Sequence, residues 1–472
     1  MRKPINLNSP RRFAGREPRC CNAPEASGAC PGKLQPEYSA PVAAAGWNYR
    51  LVARRLQRPR SLVFDSAGRL LVLDAGVGVL AMEVSEGEGE TSACVVVSRP
   101  RVVVMGEELN HGLALSTDGK MLFASSPSDV FAWKYDVSTG TIQGSRQSII
   151  TNMSSRATDQ TSTRTLLTSK ARPNTLIISR GLTDSSPSSH TDALNPQSGR
   201  AQIRAFNIDA PPPRPQDFVA HGSLLAWGVR NSAGLAEHPI HSGLWSVENS
   251  ADGVTRSGRD AHADNPADEL NFHGSVDAGG GRWDNQGRNY GFPTCYSVWN
   301  AAALPDAGRL KRGDQFAADE EGDERCRRDF VSPRVVLAAH SSPLDLVFDA
   351  SGTRAYVSFH GSWDRDKPVG YRIASIAFTP QGEPSPPRNS PDDAAADILS
   401  APDLSECPDR CFRPVGLALD RRGRLWFSSD SSGEIFVLHG DEVGQQSWAA
   451  SRLGSGRVAL LAAGVVAAVL VA

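Results

Sequence analysis

One unit recurs six times along this chain. An alternating apolar strand leads into a polar turn with Asp and Gly, and a second alternating strand follows. The clearest copies are Arg58-Pro-Arg-Ser-Leu-Val-Phe-Asp65-Ser-Ala-Gly68, Ser342-Pro-Leu-Asp-Leu-Val-Phe-Asp349-Ala-Ser-Gly352 and Arg413-Pro-Val-Gly-Leu-Ala-Leu-Asp420-Arg-Arg-Gly423; the others begin at Asn110, Thr165 and Asn231. The Asp side chain can hold the turn backbone, and Gly supplies a positive φ. A lone hairpin cannot bury both of its faces, whereas neighbours packed around an axis can. The repeat therefore predicts an all-β fold, a six-bladed β-propeller with four-stranded antiparallel blades, over residues 45–440. The abundance of Gly (43) and Pro (32) against 5 Met favours many short strands joined by turns over a helical bundle. Copies lie about 51 to 55 residues apart at first and farther apart later. The longest interval, Asn231 to Ser342, is filled with loops rich in Asp, Gly, Asn and Arg and has room for a seventh blade.

The ends fall outside the repeat. Residues 1–44 are rich in Pro and Arg and are expected to be disordered; 441–457 reads as a linker and 458–472 as an apolar tail. That tail is short for a membrane-spanning helix, which needs about 20 apolar residues. Small residues, a spacer and a short apolar run fit a glycosylphosphatidylinositol attachment signal, with a tail anchor or an Ala-rich helix as the plain alternatives. The sequon Asn152-Met-Ser agrees with an extracellular or cell-surface location. The N-terminus shows no apolar signal-peptide core, and a misassigned start of the reading frame would reconcile the two ends. Among the eight cysteines, Cys407 with Cys411 is the expected loop staple and Cys295 with Cys326 a second pairing. A net charge of −2 gives no reason to expect nucleic acid as a partner.

In a propeller the first strand of each blade starts at one mouth of the axial channel. Residues just before those strands therefore converge from distant parts of the chain. Here they include Arg60, Asn110, His111, Arg230, Asn231 and His340, and the strand after the fifth turn ends in His360-Gly-Ser-Trp363-Asp-Arg365. Taken singly, each has an ordinary explanation: Arg60 as a surface charge, His111 as a hydrogen-bonded structural imidazole, Trp363 as core packing. Their shared register is what points to a site, because equivalent positions with only structural work would be apolar or turn-forming. Arg, His and Asn gathered at one mouth suit an anionic, polyoxygenated ligand.

Five motifs occur in order: Leu109-Asn-His111-Gly-Leu-Ala-Leu, Gly228-Val-Arg230-Asn231-Ser-Ala-Gly234-Leu, Asp268-Glu-Leu-Asn271, Asn289-Tyr-Gly291-Phe-Pro293 and Phe359-His360-Gly-Ser-Trp363-Asp-Arg365. Through them the chain, from about Pro41 to Leu438, resembles the soluble sugar dehydrogenases dependent on pyrroloquinoline quinone (PQQ). The nearest branch is that of the L-sorbosone dehydrogenase-like and fungal pyranose dehydrogenases. The resemblance implies oxidation of the C1 hydroxyl of an aldose or ketoaldose, or of a sugar aldehyde, by hydride transfer to PQQ, with Ca2+ bridging quinone and protein. It implies His111 as the general base for the C1 hydroxyl. Arg230 and Asn231 would meet the quinone oxygens, Arg230 stabilising charge that develops on reduction. His360, Trp363 and Arg365 would hold the cofactor's carboxylates or cover its ring, with Arg60 as another carboxylate partner. The calcium loop falls on Glu248, Asn249 and Ser250, with backbone carbonyls as many of the ligands. Fungal members can carry a cytochrome domain and a cellulose-binding module; neither is expected here, so the electron acceptor, a cytochrome or a quinone, is expected to be separate.

Two other functions share the fold. A calcium-dependent propeller lactonase or related hydrolase would hold its metal at the axis with Asp, Glu and Asn side chains; here Arg and His prevail. A non-catalytic cell-surface binding propeller needs no base, and His111 argues against it. The basic stretch Arg325-Cys-Arg-Arg either lines the mouth or is solvated.

Overall fold

A computed structural model describes residues 32–86, 94–154, 163–182, 191–209, 214–276, 283, 285–363, 365–390 and 393–440. Their principal sheets form a six-bladed propeller. The innermost strands are Pro59–Phe64, Leu113–Leu115, Leu166–Thr168, Asn231–Glu237, Pro343–Phe348 and Pro414–Leu419; each neighbours the next, and the last returns to the first. They open blades I to VI and are the strands that the repeat marks. The long interval after Asn231 is a single blade, IV, made of Asn231–Glu237, Gly243–Asn249, Asp268–Ser275 and Val335–Leu337. Insertions account for its length. One, with the short strands Thr255–Arg256 and Arg259–Asp260, separates its second and third strands; another, with the helix Glu320–Asp329, separates its third and fourth. The ring closes through blade VI, whose outer strand Trp47–Ala53 comes from the other end of the chain and pairs with Glu434–Gly440.

The turns follow the repeat's chemistry. Asp65 Oδ1 accepts from the N–H groups of Ala67 and Arg69, Asp349 Oδ1 from that of Thr353, and Asp420 Oδ1 from those of Arg422 and Arg424. Gly68, Gly352 and Gly423 stand at φ of 91°, 70° and 76°, which L side chains rarely adopt. Serines of the second strands then set the spacing between blades. Ser125 Oγ accepts the Gly112 N–H and donates to the Arg164 carbonyl of the next blade; Ser428 does the same between Gly416 and Arg60. A Cβ on Gly112 or Gly416 would come within 2.2 Å of those carbonyls, so these inner strands approach only as glycine. The alternating apolar faces fill the spaces between blades: Trp245, Leu270, Leu346, Val357 and Ile376 join blade IV to blade V. Each fully buried Leu, Ile or Val contributes roughly 1.5–3 kcal/mol.

The boundary at residue 44 is corrected. Val42–Ala43 adds a fifth strand to blade V beside Ala396–Ser400, and the Glu37 N–H bonds the Glu434 carboxylate. The outer edge of blade V has backbone groups to pair, and the chain covers them on its way to blade VI. Residues 1–31, the linker 441–457 and the tail 458–472 lie outside the described residues. Disulfides join Cys295 to Cys326 and Cys407 to Cys411. No described helix is long and apolar enough to cross a membrane.

Candidate active site at the propeller mouth

Blades I, II, V and VI bring one group of side chains together. Arg60, second residue of its inner strand, donates from Nε and Nη2 to His111 Nδ1 (3.3 and 3.1 Å) and from Nη1 to Asp430 (2.5 Å). His360 Nε2 meets the other Asp430 oxygen at 2.8 Å. Arg413 donates to the carbonyls of His360 and Gly361 at 3.1 and 2.8 Å. Asp430 is the hub. Burial by itself pushes its carboxyl up, but His360, Arg60 and Arg413 together hold it well below the usual carboxylate range. His111 is 3% exposed, and burial followed by the Arg60 charge pulls its imidazole down to about 3. His360 falls to about 4, through burial and then Arg413. Both rings are neutral at ordinary pH. Because Arg60 donates to His111 Nδ1, the ring proton of His111 sits on Nε2.

Blade IV supplies the other half. Arg230 immediately precedes Asn231–Glu237. Its Nη1 donates to the carbonyls of Asn249 and Ser250 (3.4 and 3.1 Å), and its Nη2 lies 3.6 Å from Asp252. Its Nε is buried with no hydrogen-bond partner among the described residues, a rare condition for a buried N–H. Asp252 also meets His340 Nδ1 at 3.1 Å. Asp268 accepts from the Ser250 N–H, the Ser341 hydroxyl and the Ser342 N–H at 3.0, 3.1 and 2.8 Å. These donors are neutral, and burial pushes Asp268 up to about 6. His340 and Ser342 stand at φ of 61° and 56°, a conformation uncommon outside glycine and one that gathers at functional sites.

Arg60, His111 and His360 thus share one cluster, and Arg230 with the Asn249 and Ser250 carbonyls forms another. Asn231 accepts from the Thr163 hydroxyl at 3.1 Å, at the junction of blades III and IV. Arg365 does not join Arg60; it donates to the Ala339 carbonyl and the Asp264 carboxylate (3.0 and 2.9 Å), beside the blade IV half. Trp363 is 66% exposed, so it is not core packing. Within the expected calcium loop, the side chains of Glu248 and Asn249 are engaged elsewhere. Glu248 accepts from the Arg230 N–H and the Asn271 amide, and Asn249 is bonded to Ser342 and Pro343. Burial and then Glu269 push the Glu248 carboxyl well up. The side chains of Arg325 and Arg328 are 70% and 66% exposed on the helix Glu320–Asp329, as a solvated basic stretch would be.

Sequence reasoning missed Arg413 and Asp430, and it placed Asp252 at the end of the expected calcium segment, residues 248–252, without choosing it. For both missed residues a signal existed. Asp430 follows the second strand Leu425–Ser429 as His360 follows Arg354–Phe359, and Arg413 precedes its inner strand as Arg230 does. Asp252 lies in an insertion and has no repeat equivalent.

Comparison with known proteins agrees with this architecture. A TrAA12-like family model matches residues 41–441. A pyrroloquinoline quinone-dependent sugar dehydrogenase of Hypocrea jecorina (strain QM6a) is 49% identical over 412 residues, which are 86% of this chain and 90% of that protein. A pyrroloquinoline quinone-dependent pyranose dehydrogenase of Coprinopsis cinerea is 33% identical over 427 residues, 87% of this chain but 56% of that longer protein. The calcium structure of a Trichoderma reesei carbohydrate-active enzyme of family AA12 is similar with a TM-score of 0.80 at 49% identity, covering 87% of this chain and 99% of that one. The holo form of the PQQ domain of the Coprinopsis cinerea pyranose dehydrogenase has a TM-score of 0.78 at 31% identity over the same shares. Fold and relatives together define a propeller oxidoreductase. The chain belongs to the TrAA12-like family and is an enzyme of the PQQ-dependent sugar dehydrogenase kind.

Proposed function

We propose that this protein oxidises the C1 hydroxyl of an aldose or ketoaldose, or a sugar aldehyde, with PQQ as its cofactor and Ca2+ as the partner ion. One observation carries the reading: the mouth is divided between guanidinium groups around Arg60 and Arg413 and a set of carbonyl and carboxylate oxygens around Arg230. The donors fit both groups. Guanidinium forks match carboxylates, and the Arg230 Nε still wants an acceptor. The Asn249 and Ser250 carbonyls with the Asp252 carboxylate are the hard oxygens that calcium takes, and Arg230 now sits among them. Arg60, Arg413 and Arg230 would hold PQQ, and those oxygens would hold Ca2+.

Bound PQQ supplies the acceptor for the hydride that leaves the sugar. His111 takes the hydroxyl proton at Nδ1, its lone-pair nitrogen. In the present geometry that nitrogen faces Arg60, so an anionic ligand that draws the guanidinium away uncovers the base. Arg230 balances negative charge gathering at the mouth. Asp430 keeps Arg60 and His360 in place as their shared partner. The two disulfides support an oxidising, extracellular or cell-surface setting, and electrons leave to a separate cytochrome or quinone.

Reconstitution tests this. The purified protein is given PQQ and Ca2+, and dye reduction is followed over a panel of aldoses and 2-keto sugars. Turnover that needs both additions is expected; no PQQ binding and no turnover would reject the reading. His111→Ala should bind PQQ nearly as the wild type does and lose roughly 10²–10⁴-fold in turnover. Full turnover would place the base elsewhere.

A further inference from the structure

The first insertion of blade IV brings another imidazole to the rim. Residues 260–265 are pinned by groups of the mouth and its surroundings. His340 Nε2 bonds the His262 carbonyl at 2.5 Å, Arg365 bonds Asp264, and the Asn265 side chain accepts the Trp299 and Asn300 N–H groups. The His262 ring stands nearly perpendicular to that of His340, centroids 6.5 Å apart, and its side chain is 34% exposed. One oxygen of Asp260 takes both the His262 backbone N–H (2.9 Å) and Nδ1 (2.6 Å). A carboxylate at that distance requires the proton on Nδ1. Nε2 then carries the ring's outward function, and it has no hydrogen-bond partner among the described residues. An Asp that fixes the tautomer and direction of an imidazole is the device that prepares a His to meet a ligand.

The mouth is rich in donors: Arg60, Arg230, Arg365 and Arg413 only donate, and the carboxylates of Asp430, Asp252 and Asp268 already accept from neighbouring groups. A sugar hydroxyl donates as well as accepts, and beside the lone pair of His111 Nδ1 an oriented acceptor at the rim would serve a second hydroxyl. His262 approaches from the blade IV side and His111 from blade II, which leaves the C1 hydroxyl to His111. We propose that His262, oriented by Asp260, contacts the substrate: its Nε2 accepts a hydrogen bond from a ring hydroxyl other than that on C1 and so helps decide which sugar is oxidised. This rests on the dehydrogenase reading above.

The test uses the full chain loaded with PQQ and Ca2+, with His262→Ala, His262→Gln and Asp260→Asn as variants. The substrates are the best-oxidised pyranose of the aldose and 2-keto sugar panel and its mono-deoxy analogues. His262→Ala should raise KM for that pyranose roughly 10-fold, the size of one lost hydrogen bond, with kcat within about twofold. It should also stop discriminating against the analogue that lacks the contacted hydroxyl. His262→Gln keeps an acceptor and should recover much of the KM; Asp260→Asn should fall between. PQQ affinity, followed by absorbance titration, and the unfolding midpoint should match the wild type. A wild-type KM with unchanged discrimination in His262→Ala would overturn the assignment. So would a fall in PQQ affinity or stability that accounts for the KM change, since His262 would then be structural. Failure of the underlying reading shows itself separately, as absence of quinone-dependent turnover in the wild-type arm.

Discussion

The two halves of the mouth share one register of the propeller but are stabilised in opposite ways. On the Arg60 side a largely enclosed carboxylate, Asp430, is bonded to Arg60 and His360 and lies in the field of Arg413, and it stays ionised. On the blade IV side Asp268 is more deeply enclosed and is met by two N–H groups and a hydroxyl, and burial raises it to about 6. Burial costs both groups; the nearby cations decide which effect wins. The consequence for ligands differs accordingly. An anion entering the first half must compete with Asp430 for the guanidinium groups. A cation entering the second must displace Arg230 from the Asn249 and Ser250 carbonyls. One half has its cationic groups already paired with a carboxylate, and the other is shaped by left-handed backbone at His340 and Ser342.

Several substitutions would break or sharpen this contrast. The largest effect on stability is expected at Asp430. Asp430→Asn leaves Arg60 without its counter-ion where each side chain is 13% exposed, so the cost should lie between roughly 1 kcal/mol, as for an exposed pair, and about 3–5 kcal/mol, as for a fully buried one. Denaturant unfolding measures it, and PQQ affinity should fall as well. A loss under about 1 kcal/mol, the range of an exposed pair, would mean that the hub is dispensable.

The next effect is one of acidity. His273 lies on the same face of blade IV as Glu269 and Asn271; its Nε2 meets Ser246, and burial lowers its imidazole to about 3. The unfolded chain therefore takes a proton first when pH drops below about 6.5, and the folded state loses stability on acidification. His273→Gln removes this penalty. It should gain on the wild type by up to about 1.4 kcal/mol for each pH unit between about 6.5 and 4, read from chemical unfolding at several pH values. Asp345 acts the opposite way, since burial raises it to about 7: its contribution is complete below the unfolded carboxyl range and is lost as pH rises through 7. A pH-independent difference between His273→Gln and the wild type would show that His273 titrates normally.

The smallest change is expected at Asp268. Asp268→Asn keeps an acceptor oxygen and removes no ion-pair partner, so unfolding should shift by about 1 kcal/mol. A loss as large as that of Asp430→Asn would erase the distinction between the halves.

Much of the fold is legible in the order of the amino acids. The Asp-Gly turns, the alternating strands and the inner glycines of the Gly-Leu-Ala-Leu segments are local chemistry, and each does in the fold what the residues require. Register then follows, which is why Arg60, His111 and His360 fall into one cluster. Arg365 shows the limit. It lies beyond the strand Arg354–Phe359, outside the register, and turns to Asp264 instead of Arg60. Glu248 shows another: its type suits a metal loop, but pairing with the third strand of blade IV places its carboxylate on Asn271 and the Arg230 N–H.

By itself, then, the sequence determined the blades, their number outside the insertions and the order in which residues reach the mouth, because alternation and turn chemistry act over a few neighbouring residues. Only the tertiary structure decided that the interval after Asn231 is one blade, since inserted loops have no period. It alone decided charge as well. Asp430 becomes the anionic hub because closure of the ring sets it against Arg60, 370 residues earlier, and such long-range neutralisation leaves no trace in either local segment.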